Sequence, residues 1–365
     1  MVEWKELNDF LNFEQPTPYL VKSTEYDNSY KTPVLTAGQS LLLGYTNELD
    51  GIYEADKDNP CIIFDDFTTS FHWIDYSFKV KSSAMKMLKP KANTNFRYVY
   101  YAMQQIRFVP QQHQRHWISK YSHFQIPVPS LEEQKRIVGI LDTFTDSIEN
   151  LKQQIAQRRK QYEHYRDQLL DLEGKEGVEI KTIQDISKKI CSGGTPSTSH
   201  KEYYNGNIPW LRTQEVDWKE IYDTDVKITE EAVEHSSAKL IPVNCVIVAM
   251  YGATAAKSAI NKIALTTNQA CCNLEIDGNK ALYKYVYYWF CKEYLNLKSM
   301  GEGSQNNING KKIKTYPILL PPLSEQQRIV SLLDTFEASI SNLEAQLAQR
   351  QKQYEYYRNQ LLTFE

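Results

Sequence analysis

The amino-acid sequence predicts an α+β protein. Two globular domains of mixed α and β structure are expected to be joined by two long helices that form an antiparallel coiled coil with pseudo-twofold symmetry. The chain has 365 residues, enough for two domains of ordinary size. A segment of 42 residues occurs twice. Within both copies, large side chains recur at the spacing of a coiled-coil seam.

The repeated segment divides the chain into variable and constant parts. Its copies, residues 129–170 and 321–362, are identical at 28 of 42 positions. Each copy follows a longer segment, and these two segments open alike (VEWKEL at Val2 and VEIKTI at Val178) but have little in common thereafter. We predict a variable domain at 1–128, a constant helix at 129–172, a linker at 173–177, a second variable domain at 178–320 and a second constant helix at 321–365.

Each constant helix is predicted to be amphipathic over its whole length. A helix of about 40 residues is about 60 Å long, and alone it would leave an apolar stripe in water. The order of variable and constant parts favours antiparallel packing of the two helices about a pseudo-twofold axis. The predicted seam consists of Ile137, Leu141, Phe144, Ile148, Leu151 and Ile155 in the first copy and Ile329, Leu333, Phe336, Ile340, Leu343 and Leu347 in the second.

The seam continues into a layer of arginine and tyrosine residues. These residues either set the register of the coiled coil or extend from the end of the seam toward water. They are Arg158, Tyr162, Tyr165, Arg350, Tyr354 and Tyr357. At the helix starts, Ser130 with Glu133 and Ser324 with Gln327 have the spacing of capping boxes.

Composition indicates a globular chain. Hydrophobic residues make up 41% and charged residues 24% of the sequence, and no apolar run approaches the ~18 residues that span a bilayer. The first ten residues do not have the pattern of a secretory signal. The six cysteines have no CxxC spacing, which favours free thiols. We therefore expect a cytoplasmic location.

Charge is distributed unevenly although the formal net charge is only −3. Residues 1–75 contain 14 acidic side chains and four lysines, whereas residues 76–131 contain nine Lys or Arg, three His and no acid. Such a basic block is a candidate phosphate-binding surface. The alternative is that the acidic part of the domain folds over the block and neutralises it.

In the first domain, two stretches inside the basic block are candidates for phosphate contact. They comprise Lys79, Lys81, Ser82, Ser83 and Lys86, and then Arg115 and Lys120 beside His116 and Trp117. Asp65 and Asp66 follow a predicted strand at 61–64. We expect them to cap a loop or contact a base rather than bind a metal ion.

In the second domain, the candidates lie in four short stretches. Ser192, Gly193, Gly194 and Thr195 form either a phosphate-binding loop or a simple tight turn. Arg212 contacts DNA or pairs with Glu215. Tyr251, Thr254 and Lys257 follow a predicted buried strand at 246–250 and are suited to contact phosphate or base edges. Asn268 and Gln269 either pair with adenine or act as buried amide caps.

Several of these stretches resemble the specificity subunit of type I restriction-modification enzymes. In the second domain the resemblance rests on SGGTPST (192–198), NGNIPWLRTQEV (205–216), ITEEAVEHSSAKLIP (228–242), VIVAMYGATAAK (246–257) and TNQACCNL (267–274). In the first it rests on KTPVLTAGQSLLLGYTN (31–47), IIFDDFTTSF (62–71) and FKVKSSAMKML (78–88). The resemblance covers essentially the whole chain.

This resemblance implies a function for each part. The variable domains would be target recognition domains that each read one half of a bipartite, asymmetric site in double-stranded DNA. The helices would dock two methyltransferase subunits, to which motor-nuclease subunits can add, so that the chain directs adenine methylation and restriction in a bacterial or archaeal cell.

Catalysis is expected to belong to those partners. The sequence has no NPPY- or DPPY-type tetrapeptide, no glycine-rich S-adenosylmethionine loop and no Walker A lysine. No cysteine pair accompanies His113 and His116, so no metal site is predicted. We expect this chain to bind no cofactor, and S-adenosylmethionine, ATP and Mg²⁺ to bind partner subunits. The alternatives are a pure protein–protein adaptor and a self-contained nuclease.

Overall fold

The computed structural model describes residues 2–38, 40–110, 114–302 and 307–364. The chain forms two compact units: unit 1 is Met1–Lys152 with Ala345–Glu365, and unit 2 is Gln153–Glu344. Each unit therefore contains one variable domain and half of each long helix. The bounds of the variable domains at 128 and 320 stay predictions. No helix in the described part of the chain is long and apolar enough to cross a membrane.

Unit 1 contains a four-stranded sheet of order β2-β8-β5-β6, a three-stranded sheet of order β4-β3-β7 and the antiparallel pair β1-β9. The strands are β1 (Glu3–Glu6), β2 (Leu11–Glu14), β3 (Thr32–Leu35), β4 (Leu42–Thr46), β5 (Cys61–Asp65), β6 (Phe71–Ile74), β7 (Lys79–Val80), β8 (Met85–Pro90) and β9 (Gln125–Val128). The helices are α1 (Leu7–Phe10), α2 (Phe96–Met103) and α3 (Leu131–Leu169), of which α3 continues into unit 2.

Unit 2 contains a five-stranded sheet of order β11-β18-β15-β16-β13, a three-stranded sheet of order β14-β12-β17 and the antiparallel pair β10-β19. The strands are β10 (Glu179–Thr182), β11 (Ser187–Ser192), β12 (Ile208–Leu211), β13 (Lys219–Ile221), β14 (Lys227–Ile228), β15 (Val246–Ala249), β16 (Ser258–Asn261), β17 (Thr266–Thr267), β18 (Cys271–Ile276) and β19 (Pro317–Leu320). The helices are α4 (Glu230–Glu234), α5 (Tyr283–Lys292), α6 (Tyr294–Ser299), α7 (Gly310–Lys314) and α8 (Leu323–Leu362), and α8 ends in unit 1.

The two variable domains share one topology although their sequences differ. Strands β2, β8, β5 and β6 correspond in order and direction to β11, β18, β15 and β16. Likewise β4, β3 and β7 correspond to β14, β12 and β17, including the parallel pairs β3-β7 and β12-β17. The duplication therefore includes the domains as well as the helices.

A strand buried on both faces lies at the centre of each large sheet. In β5, Ile62 and Phe64 contribute to one apolar cluster and Cys61 and Ile63 to another. In β15, Val246 and Val248 likewise face one cluster, and Ile247 and Ala249 the other. Successive side chains of a strand point to opposite faces. This explains why both strands are continuous apolar runs, and it confirms the strands predicted at 61–64 and 246–250.

Each domain is attached to a constant helix through an equivalent pair of side chains, a cation and a tyrosine. In unit 1, Arg97 and Tyr101 of α2 donate to the carboxylate of Asp142 at 2.7 and 2.5 Å. In unit 2, Lys284 and Tyr288 of α5 donate to Asp334 at 2.9 and 2.6 Å. The sequence contains the signal for this match, since RYVYY at 97–101 and KYVYY at 284–288 differ only in the cation. It is a second internal repeat, much shorter than that of the constant helices.

Within each unit, α3 and α8 pack in opposite directions. In unit 1, the ring of Phe144 stacks on that of Tyr357 with centroids 5.3 Å apart, and Arg350 lies over Phe144. In unit 2, Phe336 stacks on Tyr165 at the same distance, and Arg158 lies over Phe336. The Arg and Tyr layer therefore makes specific contacts with the opposite helix.

Burial along the seam is greatest near the start of each helix. Ile137 and Leu141 are fully buried in the core of the unit 1 domain, and Ile329 and Leu333 in that of the unit 2 domain. The predicted fold class is confirmed.

The hydroxyl of Ser130 accepts a hydrogen bond from the amide of Glu133, as a helix cap should. The cap predicted at Ser324 is wrong, because α8 already begins at Leu323.

Glu337 of α8 lies among tyrosines in unit 2. Its carboxylate accepts hydrogen bonds from Tyr288 at 3.0 Å and from Tyr162 at 3.3 Å. Burial raises the pKa of Glu337 above its ordinary value of 4.5, and the hydrogen bond from Tyr288 opposes this shift only in part. The ionised carboxylate therefore disfavours the folded state at neutral pH.

We predict that Glu337→Gln raises the free energy of unfolding at pH 7. The folded-state pKa lies above the unfolded one, so the penalty exists above the folded pKa and vanishes as the pH falls below about 4.5. Urea unfolding of wild type and variant at pH 7 and pH 4 measures the difference. Glu344→Gln, at an exposed position of the same helix, is the control and should give no gain. Destabilisation by Glu337→Gln at pH 7 would contradict the prediction.

Candidate nucleic-acid interface

A tight turn between β5 and β6 forms the centre of the candidate interface in unit 1. The carboxylate of Asp65 accepts from the amides of Phe67 and Thr68, each at 2.8 Å. The buried carboxylate of Asp66 accepts from the amides of His116 and Trp117 at 3.1 and 2.8 Å. The loop-capping interpretation of this aspartate pair is thereby confirmed.

Two predicted phosphate contacts in unit 1 are wrong. The side chains of Lys79 and Lys86 are each 1% exposed. Lys79 pairs with Glu48 and Lys86 with Asp66, both at 3.2 Å. A buried ammonium requires such a partner. For these two lysines, the acidic part of the domain does neutralise the basic block.

The remaining candidates of unit 1 are exposed. Lys81, Ser82 and Ser83 lie in the loop between β7 and β8, and Arg115 and Lys120 lie in the segment before β9. Hydrogen bonds connect both segments to the β5–β6 turn, because the amide of Asp66 donates to the carbonyl of Ala84 at 2.9 Å and the amide of His116 donates to the carbonyl of Asp66 at 2.9 Å. The two segments that carry these five donor-bearing side chains are thus both hydrogen-bonded to one turn.

The glycines of unit 2 do not form a phosphate cradle. Gly193 and Gly194 are buried. A Cβ atom at Gly193 would overlap the backbone of Thr267, and one at Gly194 would overlap Ser237 and Ala238. Their small size therefore allows close packing within the protein. Ser192 and Thr195 on either side are exposed, and the hydroxyl of Thr195 donates to the side-chain oxygen of Gln269.

Two other candidates of unit 2 form ion pairs within the protein. Arg212 lies 3.5 Å from both Glu215 and Asp225, so the ion-pair alternative describes it. Lys257 pairs with Asp217 at 2.6 Å. These pairs are partly exposed, and such pairs exchange partners at low cost.

Asn268 and Thr254 have structural contacts of their own. The side-chain oxygen of Asn268 accepts from the amide of Ala270 at 3.2 Å and from the thiol of Cys271 at 3.3 Å, as the amide-cap alternative requires. The hydroxyl of Thr254 donates to the carbonyl of Thr213 at 2.7 Å. Tyr251 and Gln269 are exposed.

The turns β5–β6 and β15–β16 are held by equivalent hydrogen bonds. The amide of Asp66 donates to the carbonyl of Ala84 at 2.9 Å, and that of Met250 to Ala270 at 2.8 Å. The carbonyls of Asp66 and Met250 accept from the amides of His116 at 2.9 Å and Ile308 at 2.8 Å, respectively. Asp66 and Met250 therefore occupy the same position of the shared fold.

Two further contacts complete this match. The amide of Asp65 donates to the carbonyl of Ser70, and that of Ala249 donates to the carbonyl of Lys257, both at 2.9 Å. The amide of Lys81 donates to the carbonyl of Leu35 at 3.0 Å, and that of Asn268 to Leu211 at 2.9 Å. Lys81 and Asn268 are thus equivalent in the fold. The stretches predicted independently as Lys81 to Ser83 and Asn268 to Gln269 are the same loop in the two domains.

Metal binding has no support in the described ranges. Across residues 2–38, 40–110, 114–302 and 307–364, no three His, Cys, Asp or Glu side chains are grouped to hold an ion. His113 lies outside these ranges. Burial raises the pKa of Cys245 and of Cys272 to about 12, so these thiols stay protonated at neutral pH.

Comparison with known proteins identifies the family. A family model described as the type I restriction modification DNA specificity domain matches residues 1–158 and 175–351. The chain therefore belongs to this family, as the resemblance in its sequence indicated.

Individual relatives agree with the family assignment. The specificity subunit of the type I restriction enzyme EcoR124I/EcoR124II from Escherichia coli is 42% identical, over 100% of this chain and 94% of the relative. The putative type I restriction enzyme specificity subunit S.HindORF215P from Haemophilus influenzae is 27% identical, over 100% and 96%. Among solved structures, the S subunit of a type I restriction-modification system from M. genitalium shares the fold, with a TM-score of 0.65 over 100% and 97% of the two chains at 13% identity.

We predict that Gly194→Ala destabilises unit 2 by about 1–3 kcal/mol, the usual cost of overpacking a close contact. Gly278→Ala is the control, since no atom lies within 4 Å of its added Cβ. Urea unfolding of the two variants measures the effect. Equal stability of the two would show that the Ser237–Ala238 segment can move away and that glycine is not needed.

Proposed function

We propose that this chain is the non-catalytic DNA-recognition subunit of a type I restriction-modification complex. Each variable domain reads one half of a bipartite, asymmetric site in double-stranded DNA, and partner subunits carry out adenine methylation and restriction. One observation carries the proposal: two domains of different sequence present their exposed polar candidates on the same loop, beside the same turn. A shared scaffold with different side chains suits two readers of different half-sites.

The constant helices offer evidence that two copies of one partner bind this chain. In unit 2 they form a groove of about 680 Å³ that is lined by nine side chains of α3 and α8. Eight of these nine have an identical counterpart 192 residues away, compared with 28 of 42 in the whole repeat. The lining residues are Arg158, Gln161, Tyr165, Gln168, Leu169, Glu325, Arg328, Leu332 and Phe336, with Lys175 of the linker.

We assign this repeated surface to two methyltransferase subunits, through which motor-nuclease subunits join the complex. S-adenosylmethionine, ATP and Mg²⁺ then serve those partners, and this chain holds no cofactor of its own. The complex would act in the cytoplasm, where the cell's DNA lies.

A map of N6-methyladenine tests the function directly. In cells that express the chain with its cognate methyltransferase subunit, we expect a bipartite motif that is missing when only this chain is deleted. The map would also identify both half-sites. Identical maps from cells in which the complex forms would refute DNA recognition and favour a protein adaptor. Cleavage or methylation of DNA by the purified chain alone would refute the non-catalytic role.

We predict that replacing Lys81, Arg115 and Lys120 together by Gln flattens the salt dependence of DNA binding by the assembled complex. This slope of log K against log [salt] is negative, and each lost phosphate contact reduces its magnitude by about 0.9. Binding measured between 50 and 200 mM salt gives this slope.

The control replaces three exposed lysines from the acidic part of the same domain, Lys22, Lys31 and Lys57. It changes the net charge equally, so a specific contact surface predicts a larger change for the first triple variant. Equal slopes for the two triple variants would remove the basic loops from the DNA contact.

A further inference from the structure

We propose that Phe67, at the tip of the β5–β6 turn, is a specificity-determining residue of the unit 1 domain. Its ring packs on the 5-methyl group of a thymine in the major groove of the half-site that this domain reads. The inference rests on the proposed function and deepens it, since it assigns a base contact to a residue that the sequence did not single out.

The turn presents an apolar ring at a polar surface. The Phe67 side chain is 40% exposed, between the exposed Thr68 and the buried Asp66. An exposed apolar residue is common and by itself indicates nothing. Here, however, the exposed donors Lys81, Ser82, Ser83 and Arg115 lie on the segments that are hydrogen-bonded to this turn.

The backbone of the turn is fixed in an uncommon conformation. Thr69 has a φ of 59°, in the left-handed region that β-branched residues rarely adopt. Such conformations persist where surrounding contacts determine them, and they concentrate at functional sites. Here the Asp65 carboxylate fixes the amides of Phe67 and Thr68, and the amide of Thr69 donates to the carbonyl of Asp65 at 2.9 Å.

A buried ion pair supports the turn from beneath. Lys86 lies 3.2 Å from Asp66 and also donates to the side-chain oxygen of Gln15 at 3.1 Å. Asp66 in turn holds the amides of His116 and Trp117. The backbone that carries the Phe67 ring is therefore held by a buried network of hydrogen bonds, and direct readout of a single nucleobase requires such support.

The equivalent turn of unit 2 provides independent support. Asp66 and Met250 occupy the same position of the fold, and Phe67 and Tyr251 each follow directly. The unit 2 turn is longer, because the amides of Thr69 and Ala256 donate to the equivalent carbonyls of Asp65 and Ala249, which places residues 67–68 between matched positions in unit 1 and residues 251–255 in unit 2. Tyr251 is also 40% exposed. Two domains with different sequences thus present an equally exposed aromatic ring directly after this shared position, each beside the loop that holds its polar candidates.

The chemistry of the ring selects its target. Phenylalanine has no hydrogen-bonding group, so it cannot read the donors and acceptors of base edges. Thymine is the one base of unmodified DNA that presents a methyl group in the major groove, and apolar side chains recognise it there. The neighbouring cations and hydroxyls can contact phosphates while the ring contacts the base.

The test compares variants of the chain in the complex with its cognate methyltransferase subunit. The N6-methyladenine map of Phe67→Ala should lose its requirement for thymine at one position of one half-site and keep the other half unchanged. Phe67→Leu, which keeps an apolar contact, should retain most of the requirement. Tyr76→Ala is the control, because Tyr76 is 42% exposed but lies beyond the opposite end of β6 from the turn.

A second measurement isolates the methyl group. Replacing the identified thymine by uracil should weaken binding of the wild-type complex about fourfold, the value of one buried methylene-sized group. The same replacement should not weaken binding of the Phe67→Ala complex further. An unchanged Phe67→Ala motif, or equal uracil effects in both complexes, would overturn the inference. A wild-type map without any bipartite motif would instead refute the proposed function.

Discussion

Burial of the apolar seam on the two long helices is the constraint on which the rest of the structure depends. A helix of 39 or 40 residues with large apolar side chains at every third and fourth position cannot remain alone in water. The structure covers each seam in two ways. Ile137, Leu141, Ile329 and Leu333 enter the cores of the variable domains, and the second half of each helix meets the first half of the other. Each domain therefore folds onto the helix that follows it in sequence.

The carboxylates of Asp142 and Asp334 make this attachment directional. Each accepts hydrogen bonds from a tyrosine and from a cation of the domain's own helix, α2 or α5. Charged hydrogen bonds are stronger than neutral ones and require a defined geometry. The same pattern in both units fixes how the β-sheet of each domain is presented relative to the constant helix, although most other residues of the domains differ.

Charge in the first domain illustrates how composition can mislead. The basic block at 76–131 indicated a phosphate-binding surface, and for Lys81, Arg115 and Lys120 the exposed positions agree with that proposal. For Lys79 and Lys86 they do not, because these side chains are directed inward to Glu48 and Asp66. Both lysines lie in buried stretches of strand, since β7 is buried at both its positions and β8 from Met85 to Leu88. The direction of a strand residue depends on register, which the count of charges in a segment does not contain.

The sequence by itself determined the parts of this protein that depend on local pattern. The repeat and its heptad spacing determined the two helices and their seam, and continuous apolar runs predicted β5 and β15, because burial requires such residues in any fold. Only the tertiary structure decided which polar residues lie together. Lys81 and Asn268 are far apart in the chain and unlike in chemistry, yet they occupy one position of a shared fold. Phe67 and Tyr251 each follow a shared position of the fold, Asp66 or Met250, although the turns that they begin differ in length. These equivalences arise from strand pairing and backbone hydrogen bonds, and the backbone makes the same bonds whichever side chains it carries.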